Sequence, residues 1–190
     1  MIRVFVSPDS GYSEAQARSD IKRTCPALDY SLDFFRFDGF QDSLVDLVAA
    51  AQAPSFSGTP KVLLLTDAYF LTDAKTKGLQ SEEDLKVFGD YLKKPDPDCR
   101  LFICLEGKLG RNALCKALRA SGADFIDLTL PEGEALAMEG MKLASENGKN
   151  IDRDSALEVV RRTGNDYRAF VKTMDTLCLY TDAIRLPDVD

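Results

Sequence analysis

The sequence predicts an α/β fold, in which a mostly parallel sheet is flanked by helices and followed by a small three-helix domain. Two continuous apolar runs, at 62–65 and 101–105, are typical of strands covered on both faces, as in a parallel sheet. Strand and helix patterns alternate over the first two thirds of the chain, which indicates βαβ crossovers. No strand signal follows Pro131. We therefore predict an α/β domain at residues 1–130 and a helical domain at residues 131–190.

Local signals define the first elements of the α/β domain. Residues 2–6 are mostly apolar and predict a short strand, which ends before the turn-forming Gly11. Ser13 is the predicted N-cap of a helix that runs to Arg23. The aromatic-rich segment 30–37 predicts the second strand.

The later elements of this domain follow from apolar spacing and from capping signals. Ser81 and Asp84 predict a capping box at the start of one helix. Another helix is predicted at 114–121, and the last strand at 125–128. Between the second and third strands, apolar residues spaced i, i+3, i+4 and i+7 predict the buried face of a helix. These residues are Leu44, Leu47, Val48 and Ala51.

Three helices are predicted in the second domain. The first runs from Glu132 to Asn147, with Gly148 as its left-handed cap. The second starts at Asp152 as N-cap and ends at Gly164. The third buries one apolar face. That face consists of Tyr167, Phe170, Val171, Met174 and Cys178.

The charge and composition of the 190-residue chain exclude several classes of function. The chain contains 24 Lys and Arg against 31 Asp and Glu, for a net charge of −7, and it has no His. The absence of His excludes Ser-His-Asp and Cys-His catalysis and His-ligated metal sites. The acidic charge argues against strong autonomous DNA binding, because neutralising phosphates requires clustered Lys and Arg.

The cysteines indicate a reducing environment. Their number is odd and no pair is spaced C-x-x-C, so we predict buried free thiols in a cytoplasmic protein. The odd spacing of Cys99 and Cys104 along a strand predicts that their side chains point to opposite faces of the sheet. The other three cysteines are Cys25, Cys115 and Cys178.

A sheet of this kind followed by helices is typical of nucleotide-dependent ATPases, but the sequence lacks a phosphate-binding loop. The pattern G-x-x-x-x-G-K-[ST] does not occur, and the loop at 7–12 contains Pro8 and Asp9 but no Lys. Asp67 ends an apolar strand, as a Mg²⁺-binding Asp would, but Ala68 follows it, and a turn or helix-capping role is the favoured interpretation. We predict no catalytic residue, no metal site and no cofactor.

The segment 52–60, between a helix and a buried strand, is a candidate binding loop. Phe56 is its one aromatic residue and stands among small and polar neighbours. Two interpretations stay open. The ring packs beneath the preceding helix as part of the core, or it is exposed as an anchor for a protein partner.

The order of these features resembles the delta subunit of bacterial DNA polymerase III, a clamp-loader subunit. In the first half, the resemblance lies in segments 37–39, 53–57 and 61–65, with an amphipathic helix after the first of them. The resemblance extends over nearly the whole chain. Its later segments and residues are 101–103, Lys108, 114–118, 122–125, 144–148, Ile151, 156–157, 164–166, 177–180, Ile184 and 188–189.

The resemblance implies an AAA+/RecA-like domain without a P-loop, followed by a helical lid domain. It implies a non-catalytic subunit that binds and opens the ring-shaped beta sliding clamp through a hydrophobic wedge at Pro54, Ser55 and Phe56. It also implies assembly with delta-prime and the ATP-hydrolysing subunits inside the DNA polymerase III holoenzyme, a nucleotidyltransferase, where primer-template DNA is bound. A C-terminal collar domain is expected in full-length members, and the chain ends at Asp190, before that domain would begin.

Ser55 departs from the wedge that the family implies, which usually consists of two apolar side chains ending in Phe. Replacing Leu by Ser removes burial worth roughly 2 kcal/mol, so we expect Phe56 and Pro54 to carry the contact. Two other hypotheses stay open. One is a small nucleotide-binding α/β protein with a degenerate phosphate loop, and the other is a module that binds DNA ends or primer-template DNA.

Overall fold

The chain divides into two compact units, Met1–Thr129 and Leu130–Asp190. The structure is a computed structural model, and it describes residues 1–73, 80–164, 166–185 and 188. Asn165 and Val189, which belong to the segments of resemblance, lie outside the described residues.

The first unit is built on a five-stranded sheet in which every strand pair is parallel. The strands are β1 (Ile2–Ser7), β2 (Phe34–Asp38), β3 (Lys61–Thr66), β4 (Cys99–Glu106) and β5 (Asp124–Asp127). Their order in the sheet is β2-β3-β4-β1-β5. In this register Val4 at the centre of β1 faces Ile103 on one side and Phe125 on the other. The predicted α/β class with a parallel sheet is therefore confirmed.

Helices cover both faces of this sheet. They are α1 (Ser10–Thr24), α2 (Leu44–Gln52), α3 (Glu82–Lys93) and α4 (Ala113–Ala120), with a short 3-10 helix at Tyr69–Leu71. One face packs against α2, α3 and α4, and its buried core includes Leu47, Phe88 and Leu118. The other face packs against α1 through Ala17 and Ile21. Because β3 is buried at every residue, the continuous apolar run at its centre is required by the packing on both faces.

Several local predictions for this unit are confirmed. The four spaced apolar residues of α2 are all buried, and Ser81 and Asp84 form a reciprocal capping box at the start of α3. Cys99 belongs to the core on one face of the sheet and Cys104 to the core on the other, as their odd spacing predicts. All five cysteines are free and buried.

Two boundaries in this unit differ from the prediction. The second strand begins at Phe34 instead of Tyr30, because the Asp33 amide donates to the Asp29 carbonyl at 2.9 Å and closes a turn. The first helix begins at Ser10, and its N-cap is Asp9 instead of Ser13.

The cap explains the earlier start of α1. The Asp9 carboxylate accepts a hydrogen bond from the Tyr12 amide at 2.8 Å, which satisfies a backbone donor that the helix itself leaves unpaired. Ser13 lies inside the first turn, where it is buried and its hydroxyl donates to the Ser10 carbonyl. The helix therefore begins at Ser10, directly after its N-cap Asp9.

The described residues of the second unit form three helices, α5 (Gly133–Glu146), α6 (Arg153–Thr163) and α7 (Tyr167–Tyr180). The expectation of no strand beyond Pro131 is wrong, because β6 (Asn150–Ile151) and β7 (Ala183–Ile184) form a parallel pair. Two-residue strands are too short to show the alternation that identifies a strand in a sequence.

The predicted helix ends in the second unit are largely confirmed. Asp152 caps α6 by accepting from the Ser155 amide at 2.8 Å, and Gly164 ends the helix with φ +64°. Gly148 also has a positive φ, of +70°, directly after the Asn147 cap of α5. Among the described residues, no helix combines the length and the apolar character that crossing a membrane requires.

Candidate functional site

The loop between α2 and β3 presents Phe56 to solvent. The Phe56 side chain is 78% exposed, so the packed alternative of the two interpretations is wrong. α2 ends at Gln52 because Ala53 takes an extended backbone (ψ 148°), as residues before a proline prefer, and Pro54 follows it. Of the three residues predicted to contact a partner, Pro54 and Phe56 are exposed and Ser55 is half-buried.

A buried carboxylate lies directly beneath this loop. Asp33 is fully buried at the start of β2 and accepts hydrogen bonds from the Phe56 amide at 2.9 Å and the Ser57 amide at 2.8 Å. The Ser55 hydroxyl donates to the same carboxylate at 3.2 Å. Hydrogen bonding from Ser57, Phe56 and Ser55 holds the pKa of Asp33 below its usual value. The charged form of Asp33 therefore fixes the backbone on both sides of the exposed ring.

The loop is closed by its own hydroxyl groups. Ser55 Oγ also accepts from the Gly58 amide at 3.1 Å, and Gly58 turns the chain with φ +76°. The hydroxyls of Ser57 and Thr59 share a hydrogen bond of 2.7 Å. Ser55 therefore directs its polar group to Asp33 and to the turn, and adds no second apolar side chain next to Phe56.

Lys61 fixes the other end of the loop. Its side chain is 2% exposed, and its ammonium group donates to the carbonyls of Ala50 and Ala53. These carbonyls belong to the C-terminal end of α2, where a positive charge is favourable to the helix dipole. A buried Lys at the first position of β3 thus ties the end of α2 to the sheet.

The segment just before Asp33 also carries exposed apolar side chains. Tyr30 and Leu32 are about half exposed, and the Tyr30 ring packs on Phe34 with 5.3 Å between centroids. The Arg18 guanidinium lies 5.6 Å from the ring centroid of Phe34, the first residue of β2. The exposed apolar side chains of this region therefore lie on two segments, the turn before β2 and the Phe56 loop. The Asp33 carboxylate connects these segments by hydrogen bonds.

The start of the first helix after β1, where nucleotide-binding α/β folds receive phosphate, carries the Asp9 carboxylate in this chain. The Asp9 carboxylate already accepts the Tyr12 amide at the start of α1, and it places negative charge where a phosphate would bind. Asp67 follows β3 in a tight turn with φ +50°, and burial, with the nearby charge of Asp38, raises the pKa of Asp67. In residues 1–73, 80–164, 166–185 and 188, no group of three Cys, Asp or Glu side chains is arranged to hold a metal ion.

Sequence reasoning missed Asp33 and Lys61. The signal for Asp33 is an acidic residue inside a segment rich in aromatic residues, and the signal for Lys61 is a charge immediately before a continuous apolar run. Each position needs a specific partner to be buried without a large penalty. Their partners lie 8 to 24 residues away along the chain, in the loop and at the end of α2.

Comparison with known proteins gives one family and a set of related folds. The family described as "DNA polymerase III, delta subunit" matches residues 21–123. The chain is similar in structure to the DNA clamp loader delta protein (YqeN) of Bacillus subtilis, with a TM-score of 0.61 and 21% identity over 99% of this chain and 56% of that one. A sequence comparison with curated proteins gave no match.

Two other similar structures come from Thermotoga maritima. The RuvB Holliday junction branch migration motor has a TM-score of 0.63 and 13% identity over 98% of this chain and 59% of that one. A DNA polymerase III gamma subunit-related protein has a TM-score of 0.53 and 10% identity over 93% of this chain and 55% of that one. The chain thus spans less than two thirds of each of these proteins, and at these identities the likeness establishes an AAA+/clamp-loader-like fold. Because the family match covers more than half of its residues, the chain belongs to the DNA polymerase III delta subunit family.

Proposed function

We propose that this chain is the part of a clamp-loader delta subunit that binds the beta sliding clamp and favours its opening. The observation that carries the proposal is the exposed Phe56 ring on a loop whose backbone is fixed by Asp33. An exposed aromatic side chain on a rigid support has the properties of an interface anchor, since little conformational freedom is lost when it is buried in a partner.

The proposed work is mechanical. A subunit that binds an open or distorted clamp more tightly than a closed one shifts the clamp toward the open state by the difference between the two affinities. No covalent chemistry is required of the chain. We propose that loading onto primed DNA takes place in the bacterial cytoplasm, after assembly with delta-prime and the ATP-hydrolysing subunits.

The alternative of a nucleotide-binding protein receives no support from the start of α1. Residues 7–12 contain no Lys, and the Asp9 carboxylate competes with phosphate for the Tyr12 amide. Calorimetric titration with Mg-ATP tests this point, and we expect no heat of binding at millimolar nucleotide. Saturable binding would favour the alternative.

DNA binding is proposed only for the assembled loader. The net charge of −7 disfavours contact with phosphates by the isolated chain. Two basic residues of α1 are also paired with acidic ones, Arg18 with Glu14 and Arg23 with Asp20. Titration of primer-template DNA at several salt concentrations distinguishes the two cases, because autonomous binding would weaken steeply with salt.

The direct test measures binding to the immobilised sliding clamp of the same organism. Phe56→Ala is expected to weaken binding at least about thirtyfold, because truncating a buried aromatic anchor costs roughly 2 kcal/mol or more. The melting temperature should stay nearly constant, since substitutions at exposed positions usually change stability by less than about 0.5 kcal/mol.

A matched control lies in the second unit. Leu179 is 87% exposed, so Leu179→Ala removes a comparably exposed apolar side chain outside the loop. We expect this variant to bind the clamp normally. Normal binding by Phe56→Ala, or equal loss in both variants, would contradict the assignment of the loop.

A further inference from the structure

We infer that Asp33 is a positioning residue that holds the Phe56 loop in its binding conformation, with Ser55 as its partner. The inference rests on the proposed function of the loop and extends it to residues that need not touch the clamp. It also changes the role of Ser55, from a deficient wedge residue to part of the support for Phe56.

The carboxylate of Asp33 is well placed to act as a support. It is fully buried, and it accepts from two consecutive loop amides and one loop hydroxyl at 2.8 to 3.2 Å. The backbone of Asp33 is itself held on both sides, because its amide donates to Asp29 and its carbonyl accepts from Val62 at 2.9 Å. The loop is therefore attached to the start of β2 and β3.

Ser55 completes this support from the side of the loop. Its hydroxyl donates to Asp33 and accepts from the Gly58 amide, so one small side chain joins the carboxylate to the turn. An apolar residue at this position would supply more surface to a partner but would leave both hydrogen bonds unmade. The loop of this chain thus has one apolar anchor on a fixed backbone instead of two adjacent apolar side chains.

A fixed backbone affects binding through entropy. A loop that already holds its bound conformation does not lose freedom on association, whereas a mobile loop must be ordered by the partner. Loss of the Asp33 hydrogen bonds should therefore weaken clamp binding even though the Phe56 side chain is unchanged.

The variant Asp33→Asn keeps the size of the side chain and removes its charge and one acceptor oxygen. Hydrogen exchange of the Phe56 and Ser57 amides reports the two hydrogen bonds directly, without a partner. We expect exchange to accelerate about tenfold at the amide whose acceptor oxygen is lost and less at the other, and clamp affinity to fall about tenfold, as for the loss of a buried charge-assisted hydrogen bond.

Asp29→Asn is the matched control. Asp29 lies in the same turn, but its carboxylate accepts from the Ser31 amide and hydroxyl instead of the loop. This variant should leave both the hydrogen exchange of the Phe56 and Ser57 amides and the clamp affinity unchanged. If Asp33→Asn fails to fold, Ser55→Ala removes one bond from the same carboxylate and should show the same effects at smaller size.

A double-mutant cycle separates positioning from general destabilisation. Asp33→Asn should cost little further affinity in the Phe56→Ala background, because the anchor that it positions is already absent. Unchanged exchange at the two amides, or an equal loss of affinity in both backgrounds, would overturn the inference. Accelerated exchange in a chain that never binds the clamp would support the loop contacts but refute both the proposed function and a positioning role in it.

Discussion

At the residue scale, Asp67 combines two unfavourable features. It is the one non-glycine residue in the described part of the chain with a positive φ, +50°. Burial is the main cause that raises its pKa, and the charge of Asp38 adds to it. The turn also requires Gly39, where a Cβ atom would lie 2.5 Å from the Asp67 carbonyl oxygen. A charged side chain at this turn therefore costs stability at neutral pH.

Asp67→Asn is expected to stabilise the first unit at pH 7. Asn tolerates a positive φ and has no charge to desolvate, and such changes add roughly 0.5–2 kcal/mol. The raised pKa means that the Asp67 carboxyl group binds a proton more tightly in the folded state than in the unfolded state. The unfavourable contribution of Asp67 to the free energy of unfolding should therefore diminish as pH falls toward the ordinary pKa near 3.8.

The measurement is thermal unfolding of the Asp67→Asn variant and its parent between about pH 3 and pH 8, a range that spans the titration of the carboxyl group. The difference in melting temperature should be largest at neutral pH and should vanish at the acidic end. A difference that is constant over the whole range would mean that backbone conformation, not charge, is the cause.

The binding loop shows how far single residues could be predicted. Phe56 was identifiable as a candidate because an aromatic residue stands among small polar ones, but its exposure depends on whether a neighbouring element leaves room beneath it. The role of Asp33 was hidden, since its partners are the backbone amides of the loop. Amides carry no sequence signature, so a contact of this kind needs coordinates.

At the scale of elements, the caps of α3 and α6 were predicted correctly, whereas the cap of α1, the start of β2 and the two-residue strands were not. The capping box of α3 and the Asp152 cap of α6 have local causes that a sequence displays. The late start of β2 depends on a turn that competes with the strand for aromatic residues, and β6 owes its two residues to pairing with β7. A local sequence pattern shows neither the competition between a turn and a strand nor the pairing of strands that are distant along the chain.

Packing overrides helix propensity at Gly140 in α5. A Cβ atom there would lie 2.6 Å from Cζ of Phe170, which is fully buried on α7. Alanine is favoured over glycine by about 1 kcal/mol inside a helix, but overpacking costs about 1–3 kcal/mol. We expect Gly140→Ala to destabilise the second unit by about 1 kcal/mol, measured by denaturant unfolding.

The matched control for Gly140→Ala is Gly89→Ala in α3. Its added Cβ would lie 3.0 Å from the end of the Leu114 side chain, which is only half-buried, whereas Phe170 is fully buried. This variant should be neutral or slightly stabilising. If both substitutions stabilise the protein, helix propensity dominates and the close contact at Phe170 is relieved without cost.

At the scale of the whole molecule, the alternation of strands and helices was sufficient to predict a parallel α/β unit. It could not predict the strand order, in which β1 lies between β4 and β5, because that order depends on pairing between strands that are far apart along the chain. A continuous apolar run indicates burial on both faces but does not identify the neighbour that provides it. Chain topology therefore had to come from the structure.

The buried thiols make the chain a natural reporter of its own unfolding. Cys178 is the one cysteine of the second unit, and the other four belong to the first. Burial raises the pKa of Cys99, Cys115 and Cys178, so thiol reagents should act slowly until a unit opens. In rising urea, mass spectrometry should detect species with one or four adducts before the fully labelled chain. Abundant species with two or three adducts would show that the first unit opens in parts. The positions of the labelled cysteines would then identify the part that unfolds first.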